Sequence, residues 1–333
     1  MSMTPQQRFE HLMRLPVRQI AVWRPLKMGD LLVVVPALRA LRAAFPDAVI
    51  DYIGLPETKE LAWRFRMYLD GFVPFPGLPG LPEREWQAAD VVRFLRGMQR
   101  RKYDLLLQMH GSGRVVNYFV PLSGARITAG YASKDAYRPN DDWFAPYPEG
   151  KHEIHKFLDL LTFLGIPATD DSLEFPVSKR DERELQQLVQ LDKPYACIHP
   201  GSASSRRWPA ECFAAVADAC SAMGLRPVLT GSKDEVELAR SIAEQTKSGA
   251  VVLAGKTSLG TLAALLKNAE FYIGNDTGPA HIARALDVPS VTIFSNADPA
   301  RWGPLDMKLH RVVLADEATP ETVMKQIKEL FKL

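Results

Sequence analysis

The sequence predicts an α/β protein of two Rossmann-like domains, each a parallel sheet with helices on both faces. Short apolar runs rich in β-branched residues alternate with helical patterns along the chain, which is the order of elements in a parallel sheet. In the second half, nearly every apolar run is followed by a glycine or a small polar residue. The length of 333 residues is more than one ordinary hydrophobic core and indicates two domains.

The first half is the less regular of the two. Strands are predicted at Gln19–Arg24, Val49–Ile53, Phe72–Phe75, Tyr103–Gln108 and Arg126–Gly130. Helices are predicted at Asp30–Phe45, Glu83–Arg101 and His152–Leu164. Pro36 lies inside the first helical pattern, so this helix must kink or begin late, because proline lacks the backbone N–H that a helix interior requires.

The second half alternates more cleanly. Strands are predicted at Tyr195–His199, Pro227–Thr230, Val251–Leu253, Phe271–Gly274 and Ser290–Phe294, and helices at Pro209–Met223, Asp234–Thr246, Ser258–Asn268 and Pro279–Leu286. The segment 166–182 mixes proline with acidic and basic residues and is predicted to be a linker. We therefore expect domains at 1–172 and 173–333 that face each other across a cleft. The final helical pattern, Pro320–Phe331, belongs to the second domain in sequence, and packing of this helix on the N-terminal domain stays open.

Composition argues against several classes of function. A net charge of +2 without a basic stripe gives no ground for nucleic-acid binding. The three cysteines form no CxxC pair and are expected to be buried thiols in a reducing compartment. The N-terminus is too polar for a signal peptide, and no apolar run reaches the roughly 18 residues of a membrane span. We expect a cytoplasmic protein with a short N-terminal helix, of which Phe9, Leu12 and Met13 form one face. Packing of this face on the protein is favoured over contact with a membrane surface.

Two strand-to-helix turns in the second half favour a diphosphate. In "IHPGSASSRRWPAECF", backbone N–H groups near Ser202 and the guanidinium of Arg206 suit a phosphate group. In "IGNDTGPAHIARAL", Asp276 or Thr277 can serve as the helix N-cap, with Pro279 in the first turn. Either segment alone is equally an ordinary surface loop or helix start. Because both are expected at one sheet edge, together they predict a site for a nucleotide diphosphate.

Two further loops suit a nucleoside. Gly231 and Glu235 follow a predicted strand, where the carboxylate can accept hydrogen bonds from ribose hydroxyls or simply begin a helix. Thr257, Ser258 and Leu259 form a turn whose backbone can contact a base edge, with Ser258 as the helix cap. Neither loop has the dinucleotide or the phosphate-loop glycine pattern. No Asp-x-Asp pair or metal-ligand spacing is present, so we predict no metal ion and no cofactor.

In the first half, Gly29 and Asp30 lie between the first predicted strand and the first predicted helix. Asp30 is of a type preferred at the N-cap. A carboxylate opposite a diphosphate site is also what an inverting sugar transfer requires. It can remove the proton of the acceptor hydroxyl while the diphosphate leaves from the opposite face. The two roles are compatible.

Four segments carry a resemblance to a known family. They are "MGDLLVVVPALRALRAAFPDAVIDYI", "HPGSASSRRWPAECF", "LAGKTSLGTLAALLKNAEFYIGNDTGPAHIARALDVPSVTIF" and "DPARWGP". Together they resemble glycosyltransferase family 9, the bacterial heptosyltransferases of lipopolysaccharide core assembly. The resemblance implies a GT-B fold and an inverting, metal-independent transfer from ADP-heptose to a saccharide or lipid-linked saccharide. It also implies a cytoplasmic enzyme with a peripheral contact at the inner membrane.

Position by position, the resemblance places the catalytic base at Asp30, beside Gly29. It places diphosphate contacts at Ser202 and Arg206 and a ribose contact at Glu235. The donor-binding loop of the family matches Asp276, Thr277, Gly278, Pro279 and His281.

The chain departs from the family pattern over residues 55–150, which would shape the acceptor side, and at "SNADP" in place of Gly-Pro-Thr-Asp-Pro. Three functions stay open. The chain is a heptosyltransferase, a GT-B transferase or epimerase that uses another nucleotide sugar, or a non-catalytic nucleotide-sugar-binding relative. The presence of Asp30 together with the donor loops favours the first, because a binding module need not keep the acid.

Overall fold

A computed structural model describes residues 3–202 and 207–331 of the chain. The chain divides into two compact units, Met1–Ser172 and Leu173–Leu333. Each unit contains a six-stranded parallel sheet with helices packed on it, so the predicted α/β class with two Rossmann-like domains is confirmed. No helix among the described residues is both long and apolar enough to cross a bilayer.

The sheet of the first unit has the strand order β3-β2-β1-β4-β5-β6. Its strands are β1 (Gln19–Trp23), β2 (Val49–Gly54), β3 (Gly71–Pro74), β4 (Leu105–Gln108), β5 (Ile127–Ala132) and β6 (Phe144–Pro146). Its helices are α1 (Pro5–Arg14), α2 (Met28–Leu32), α3 (Val35–Ala44), α4 (Lys59–Arg64), α5 (Ala88–Arg101) and α6 (Glu153–Phe163), with 3-10 turns at Pro56–Thr58, Val116–Tyr118 and Val120–Ser123. β1 and β4 lie centrally and are almost wholly apolar, because helices cover both faces of such a sheet.

The sheet of the second unit has the order β12-β11-β10-β7-β8-β9. Its strands are β7 (Tyr195–His199), β8 (Arg226–Leu229), β9 (Val251–Val252), β10 (Phe271–Asn275), β11 (Ser290–Phe294) and β12 (His310–Leu314). Its helices are α7 (Lys179–Leu188), α8 (Ala210–Ala222), α9 (Val236–Gln245), α10 (Leu259–Lys267), α11 (Gly278–Ala285), α12 (Pro299–Trp302) and α13 (Pro320–Phe331), with a 3-10 turn at Lys233–Glu235.

The predicted first helix is interrupted where proline requires it. The chain forms the short helix α2 and then begins α3 at Val35, with Pro36 in the first turn of α3. At this position proline does not destabilise the helix, because the first N–H groups of a helix have no partner within it. The consequence for function is that Asp30 belongs to a five-residue helix of its own directly after β1.

Several segments differ from the sequence prediction, and α5 begins at Ala88 rather than at Glu83. The segment predicted as a linker ends at Ser178, which caps α7 through a reciprocal pair of hydrogen bonds with Asp181. The short strands β6 and β12, at the edges of their sheets, were not predicted. Helix α13 places Val323, Met324 and Ile327 in the core of the second unit, which is where its apolar face is buried.

Helix α1 packs on the first unit, as expected. Of the predicted face, Leu12 is buried and Phe9 is half-buried, whereas Met13 is exposed. Arg8 is also buried, where it donates to the carbonyls of Asp142 and Phe163 and lies over the ring of Phe163. The helix is therefore fixed partly by a guanidinium, which a count of apolar residues does not reveal.

Candidate active site

Asp30 is in the first turn of α2, just beyond the carboxyl end of β1. The N-cap of this helix is Lys27, so the prediction that Asp30 is the N-cap residue is wrong. Gly29 precedes Asp30 inside the same helix and accepts a hydrogen bond from the Val33 N–H. The carboxylate of Asp30 is instead directed toward a buried arginine, and its side chain keeps 20% of its surface exposed.

Arg24 is that arginine, and its side chain is only 1% exposed. Its guanidinium donates to the Asp30 carboxylate over 2.9 Å and to the Asp30 backbone carbonyl over 2.8 Å. It also donates to the Met109 carbonyl, just beyond β4, over 2.6 Å, and lies 4.3 Å from the centre of the Phe157 ring. These contacts on several sides fix the guanidinium, which in turn fixes the position of the carboxylate.

A second carboxylate shares the arginine. Glu153, at the start of α6, is buried and lies 3.5 Å from the Arg24 guanidinium. Its other oxygen accepts a 2.9 Å hydrogen bond from Lys156, which is also buried. Two cations and two anions therefore alternate in the order Lys156, Glu153, Arg24 and Asp30, so the buried charges compensate one another.

The environment raises the pKa of Asp30 above the usual range of an aspartate. Burial is the largest cause, and the negative charge of Glu153 adds to it. Arg24, His110 and a hydrogen bond from the Lys27 backbone act in the opposite direction without cancelling it. A carboxylate with higher proton affinity is a better general base, provided that it is still ionised at the working pH.

In the second unit, Asn275 holds two loops together at the end of β10. Its buried side-chain amide donates to the Pro200 carbonyl over 2.9 Å and accepts from the Trp208 N–H over 3.3 Å. Arg207 donates to the Ser202 carbonyl over 3.0 Å. These hydrogen bonds fix the described residues after β7, Pro200 to Ser202 and Arg207 to Trp208. Arg206, a predicted diphosphate contact, lies outside the described residues.

Among the described residues, no side chain caps the backbone N–H groups at the start of helix α11. Thr277 is the N-cap residue in an extended conformation, but it makes no side-chain capping bond. Its hydroxyl instead approaches the Asn275 carbonyl at 3.3 Å. Gly278 and Pro279 form the first turn. Backbone N–H groups at such a helix start bind anions well, because they have no partner within the helix and lie at the positive end of its dipole.

Asp276 is directed toward the body of the unit, where its carboxylate lies 3.6 Å from the Arg284 guanidinium. That separation is longer than a hydrogen bond. Burial raises the pKa of Asp276 to about 6, against the opposing charge of Arg284. Burial likewise lowers the pKa of Arg284 to about 10. His281, one turn along α11, is buried and meets the ring of Trp302 edge-on.

Glu235 is a helix-start acid, but it is mostly buried. Its carboxylate accepts from the Ser232 N–H over 2.8 Å and completes a capping box with that serine. It lies 4.0 Å from His199, whose pKa burial lowers to about 4 despite the carboxylate. The carboxylate also lies directly over Gly201, so closely that a Cβ atom there would collide with it. It therefore touches the turn that follows β7.

The loop after β9 is joined to its neighbours by backbone and side-chain hydrogen bonds. Gly231 accepts from the Gly255 N–H over 2.9 Å. Ser258 caps α10 by accepting from the Thr261 N–H, which confirms its predicted structural role. Thr257 and Leu259, on either side of Ser258, are half-buried.

The sheet order brings the predicted donor residues of the second unit to one edge. Strands β10, β7, β8 and β9 are consecutive neighbours, so the loops that follow them emerge side by side at the carboxyl edge, where such sheets bind ligands. Sequence reasoning missed Arg24 and Glu153, and it noted Asn275 as a polar strand end without its role in joining two loops. Arg24 had a signal, as a charged residue directly after a buried strand. Among the described residues, no cluster of three or more His, Cys, Asp or Glu side chains is arranged to hold a metal ion.

The chain has two units, each built on a parallel sheet. One unit carries a carboxylate fixed by an arginine, and the other carries a helix start without a side-chain cap. These are features of a GT-B glycosyltransferase. The sequence model described as glycosyltransferase family 9 (heptosyltransferase) matches residues 91–332, and the chain belongs to this family. It is therefore a glycosyltransferase enzyme, and the family resemblance stated above is confirmed.

Individual relatives agree with this assignment. Lipopolysaccharide heptosyltransferase 3 of Escherichia coli is 28% identical over 292 residues, which cover 83% of each chain. Lipopolysaccharide heptosyltransferase 2 of Escherichia coli K12 is 23% identical and covers 94% of this chain and 98% of its own. Among solved structures, the family 9 glycosyl transferase of Veillonella parvula superposes with a TM-score of 0.80 at 22% identity, covering 95% and 98% of the two chains. The structural likeness confirms the GT-B fold.

Proposed function

We propose that this glycosyltransferase moves a heptose from ADP-heptose to a saccharide of the lipopolysaccharide core, with inversion at the anomeric carbon. The observation that carries the proposal is the carboxylate of Asp30, partly exposed at the end of β1 and fixed by Arg24. The names of the relatives support the sugar and the acceptor class, since several are lipopolysaccharide heptosyltransferases. A related Escherichia coli heptosyltransferase has been solved with ADP and with an ADP-2-deoxy-2-fluoro heptose.

The proposed step is a single displacement. The oxygen of the acceptor hydroxyl bonds to the anomeric carbon as the bond from that carbon to the diphosphate oxygen breaks. The hydroxyl proton passes to Asp30, and the bonding electrons leave with ADP. Attack on the face opposite the leaving group inverts the configuration. The raised pKa of Asp30 favours this proton transfer, because it makes the carboxylate a stronger base than an exposed aspartate.

We assign the donor to the carboxyl edge of the second sheet. The N–H groups of Thr277 and Gly278 at the start of α11 would bind the diphosphate together with Ser202 and Arg206. Pro279 has no N–H to donate and would fix the direction of the first turn. Glu235 would accept from the ribose, and the turn from Thr257 to Leu259, beside Gly231, would contact the base. Asp276 and His281 would shape the loop from behind, since both are largely buried.

The leaving diphosphate is proposed to be stabilised by these donors without a metal ion or another cofactor. The guanidinium of Arg206 and the α11 dipole supply the positive charge that a metal would otherwise provide. Transfer should therefore proceed unchanged in EDTA. Activity that disappears in EDTA and returns with Mg²⁺ or Mn²⁺ would contradict metal independence while leaving the family assignment intact.

The experiment that tests the donor is a thermal-shift comparison of ADP, UDP and GDP. A ligand that binds only the native state stabilises it by about 2.7 kcal/mol at a hundred times its Kd. We expect ADP to raise the melting temperature clearly more than UDP or GDP at equal concentration. A preference for UDP would reject ADP-heptose as the donor and favour a transferase that uses another nucleotide sugar.

A peripheral contact with the inner membrane is part of the proposal. Helix α1 is already packed on the protein, whereas α5 presents Arg93, Arg96 and Arg100 to solvent beside the exposed side chain of Val92. A basic helix face with apolar residues suits an anionic lipid surface. The protein should float with vesicles that contain phosphatidylglycerol and not with neutral ones. Equal recovery with both kinds of vesicle would contradict this contact. Unchanged recovery of a variant in which all three arginines are replaced by glutamate would also contradict it.

A further inference from the structure

Two tyrosines of the first unit form an exposed stacked pair. Tyr118 ends the 3-10 turn that follows β4, and Tyr137 lies in the loop that follows β5. Their ring centres are 5.0 Å apart and their planes differ by 17°. Tyr118 is nevertheless 58% exposed and Tyr137 45%. The pair thus forms a rigid aromatic surface in contact with water.

A buried asparagine holds the two loops in register. Asn117, which has no exposed surface, donates to the carbonyl of Tyr131 at the end of β5 and to the carbonyl of Tyr137, over 3.0 and 2.9 Å. Its side-chain oxygen accepts from Gln108 at the end of β4 over 3.1 Å. One side chain therefore fixes the backbone at both tyrosines, so the stacked pair is formed before any ligand arrives.

We propose that Tyr118 and Tyr137 form a stacking platform for a sugar ring of the acceptor saccharide; this rests on the proposed function. A pyranose ring has an apolar C–H face and a hydroxylated edge, which match the face and the phenolic rim of tyrosine. Tyrosine also supplies contact area at little cost in conformational entropy. The class of ligand is a saccharide that presents such a face.

The position of the pair suits an acceptor. Strands β1, β4 and β5 are consecutive in a parallel sheet, so the loops with Asp30, Tyr118 and Tyr137 all emerge at its carboxyl edge, the ligand-binding edge of such sheets. The nearby arginines are already paired, Arg114 with Asp135 over 3.0 Å and Arg138 more distantly with an aspartate. The loops therefore offer an aromatic surface rather than unpaired charge.

The test varies the acceptor in a transfer assay with ADP-heptose, using core oligosaccharide released from lipopolysaccharide by mild acid. Tyr118→Ala and Tyr137→Ala should each raise the acceptor KM about tenfold, with kcat and the donor KM unchanged. Tyr118→Phe and Tyr137→Phe keep the ring and should behave as the wild type. An acceptor KM within about twofold of wild type in the double alanine variant would overturn the platform, and so would an equal loss in donor affinity.

A binding measurement separates the platform from the reaction. Saturation-transfer NMR with the same oligosaccharide and no donor should show binding to the wild type and little to the double alanine variant. Transfer by the wild type with equal saccharide binding by both proteins would reject the platform and keep the function. Binding that depends on the tyrosines without heptose transfer would reject the function and keep the platform. An oligosaccharide that does not bind the wild type rejects the platform.

Discussion

At the scale of single residues, the central feature is the carboxyl group of Asp30, whose pKa is raised by some neighbours and lowered by others. Arg24 stabilises the charged form of Asp30, whereas burial and Glu153 destabilise it, and the net effect is a raised pKa. Folding therefore favours the protonated acid. This stabilising contribution is complete below the usual aspartate pKa and is lost as the pH rises through the raised value. If Asp30 is the general base, catalysis needs its ionised form, and transfer should take place at pH values where this stabilising contribution is lost.

The pH dependence of transfer should report this balance. We expect the acidic limb of kcat/KM to lie above the usual aspartate pKa, because Asp30 must lose its proton before it can act as a base. Glu153→Gln removes a negative charge that raises the pKa of Asp30, so the limb should move to lower pH. The exposed variant Glu60→Gln is the control. A limb at the usual aspartate pKa, or an upward move in Glu153→Gln, would contradict the account.

The residue pattern singled out Asp30 as a candidate base, but it did not single out the residues that position its carboxylate and shift its pKa. A glycine–aspartate pair after an apolar run is a local signal. Arg24 and Glu153 are far apart in the sequence, and they meet only because α6 packs near the end of β1. Long-range charge pairs of this kind have no local periodicity, so a single sequence does not predict them.

At the scale of elements, the starts of helices were predicted better than the directions of their side chains. The sequence placed an N-cap at Asp276 or Thr277, and Thr277 holds that position. In the structure neither side chain caps the helix, which the sequence did not predict. Asp276 lies against Arg284, and the Thr277 hydroxyl approaches the carbonyl at the end of β10. The Arg284 guanidinium and the Asn275 carbonyl are the partners of the polar groups that local capping statistics assign to the helix. The backbone donors of α11 are thereby left for a ligand.

The contact between Glu235 and Gly201 gives an element-scale prediction. Gly201→Ala should displace the carboxylate and weaken its capping box, because the new methyl group would occupy its place. We expect the free energy of unfolding to fall by about 0.5–2 kcal/mol, the value of a lost cap. Calorimetry should also show weaker ADP binding, since the proposed ribose acceptor has moved.

The matched control is Gly97→Ala in α5, where an added Cβ atom meets nothing within 4 Å. It should leave ADP binding unchanged and stabilise the helix by up to about 1 kcal/mol. If ADP binds Gly201→Ala as tightly as the wild type, Glu235 does not contact the donor.

At the scale of the whole molecule, the alternation of strands and helices was enough to predict both sheets. Strands such as β7 and β11 agree with their predicted bounds to the residue, because each is a buried apolar run between polar turns. The edge strands β6 and β12 were missed, since β6 has only three residues and β12 begins with His310 and Arg311. Helix α7 was not predicted, because its sequence is highly charged and was interpreted as part of a linker. The capping box at its start is the sequence signal that could have predicted it.

The account rests on Asp30 as the general base, and Asp30→Asn tests this most directly. Asparagine keeps the size of the side chain and a carbonyl oxygen for Arg24, but it cannot take the proton. Turnover on the core acceptor should fall about 10²–10⁴-fold, while the melting temperature and ADP affinity stay near those of the wild type. Asp90→Asn, which removes an exposed carboxylate paired with Arg93, should retain full activity. Turnover by Asp30→Asn within a few-fold of the wild type would contradict the central claim.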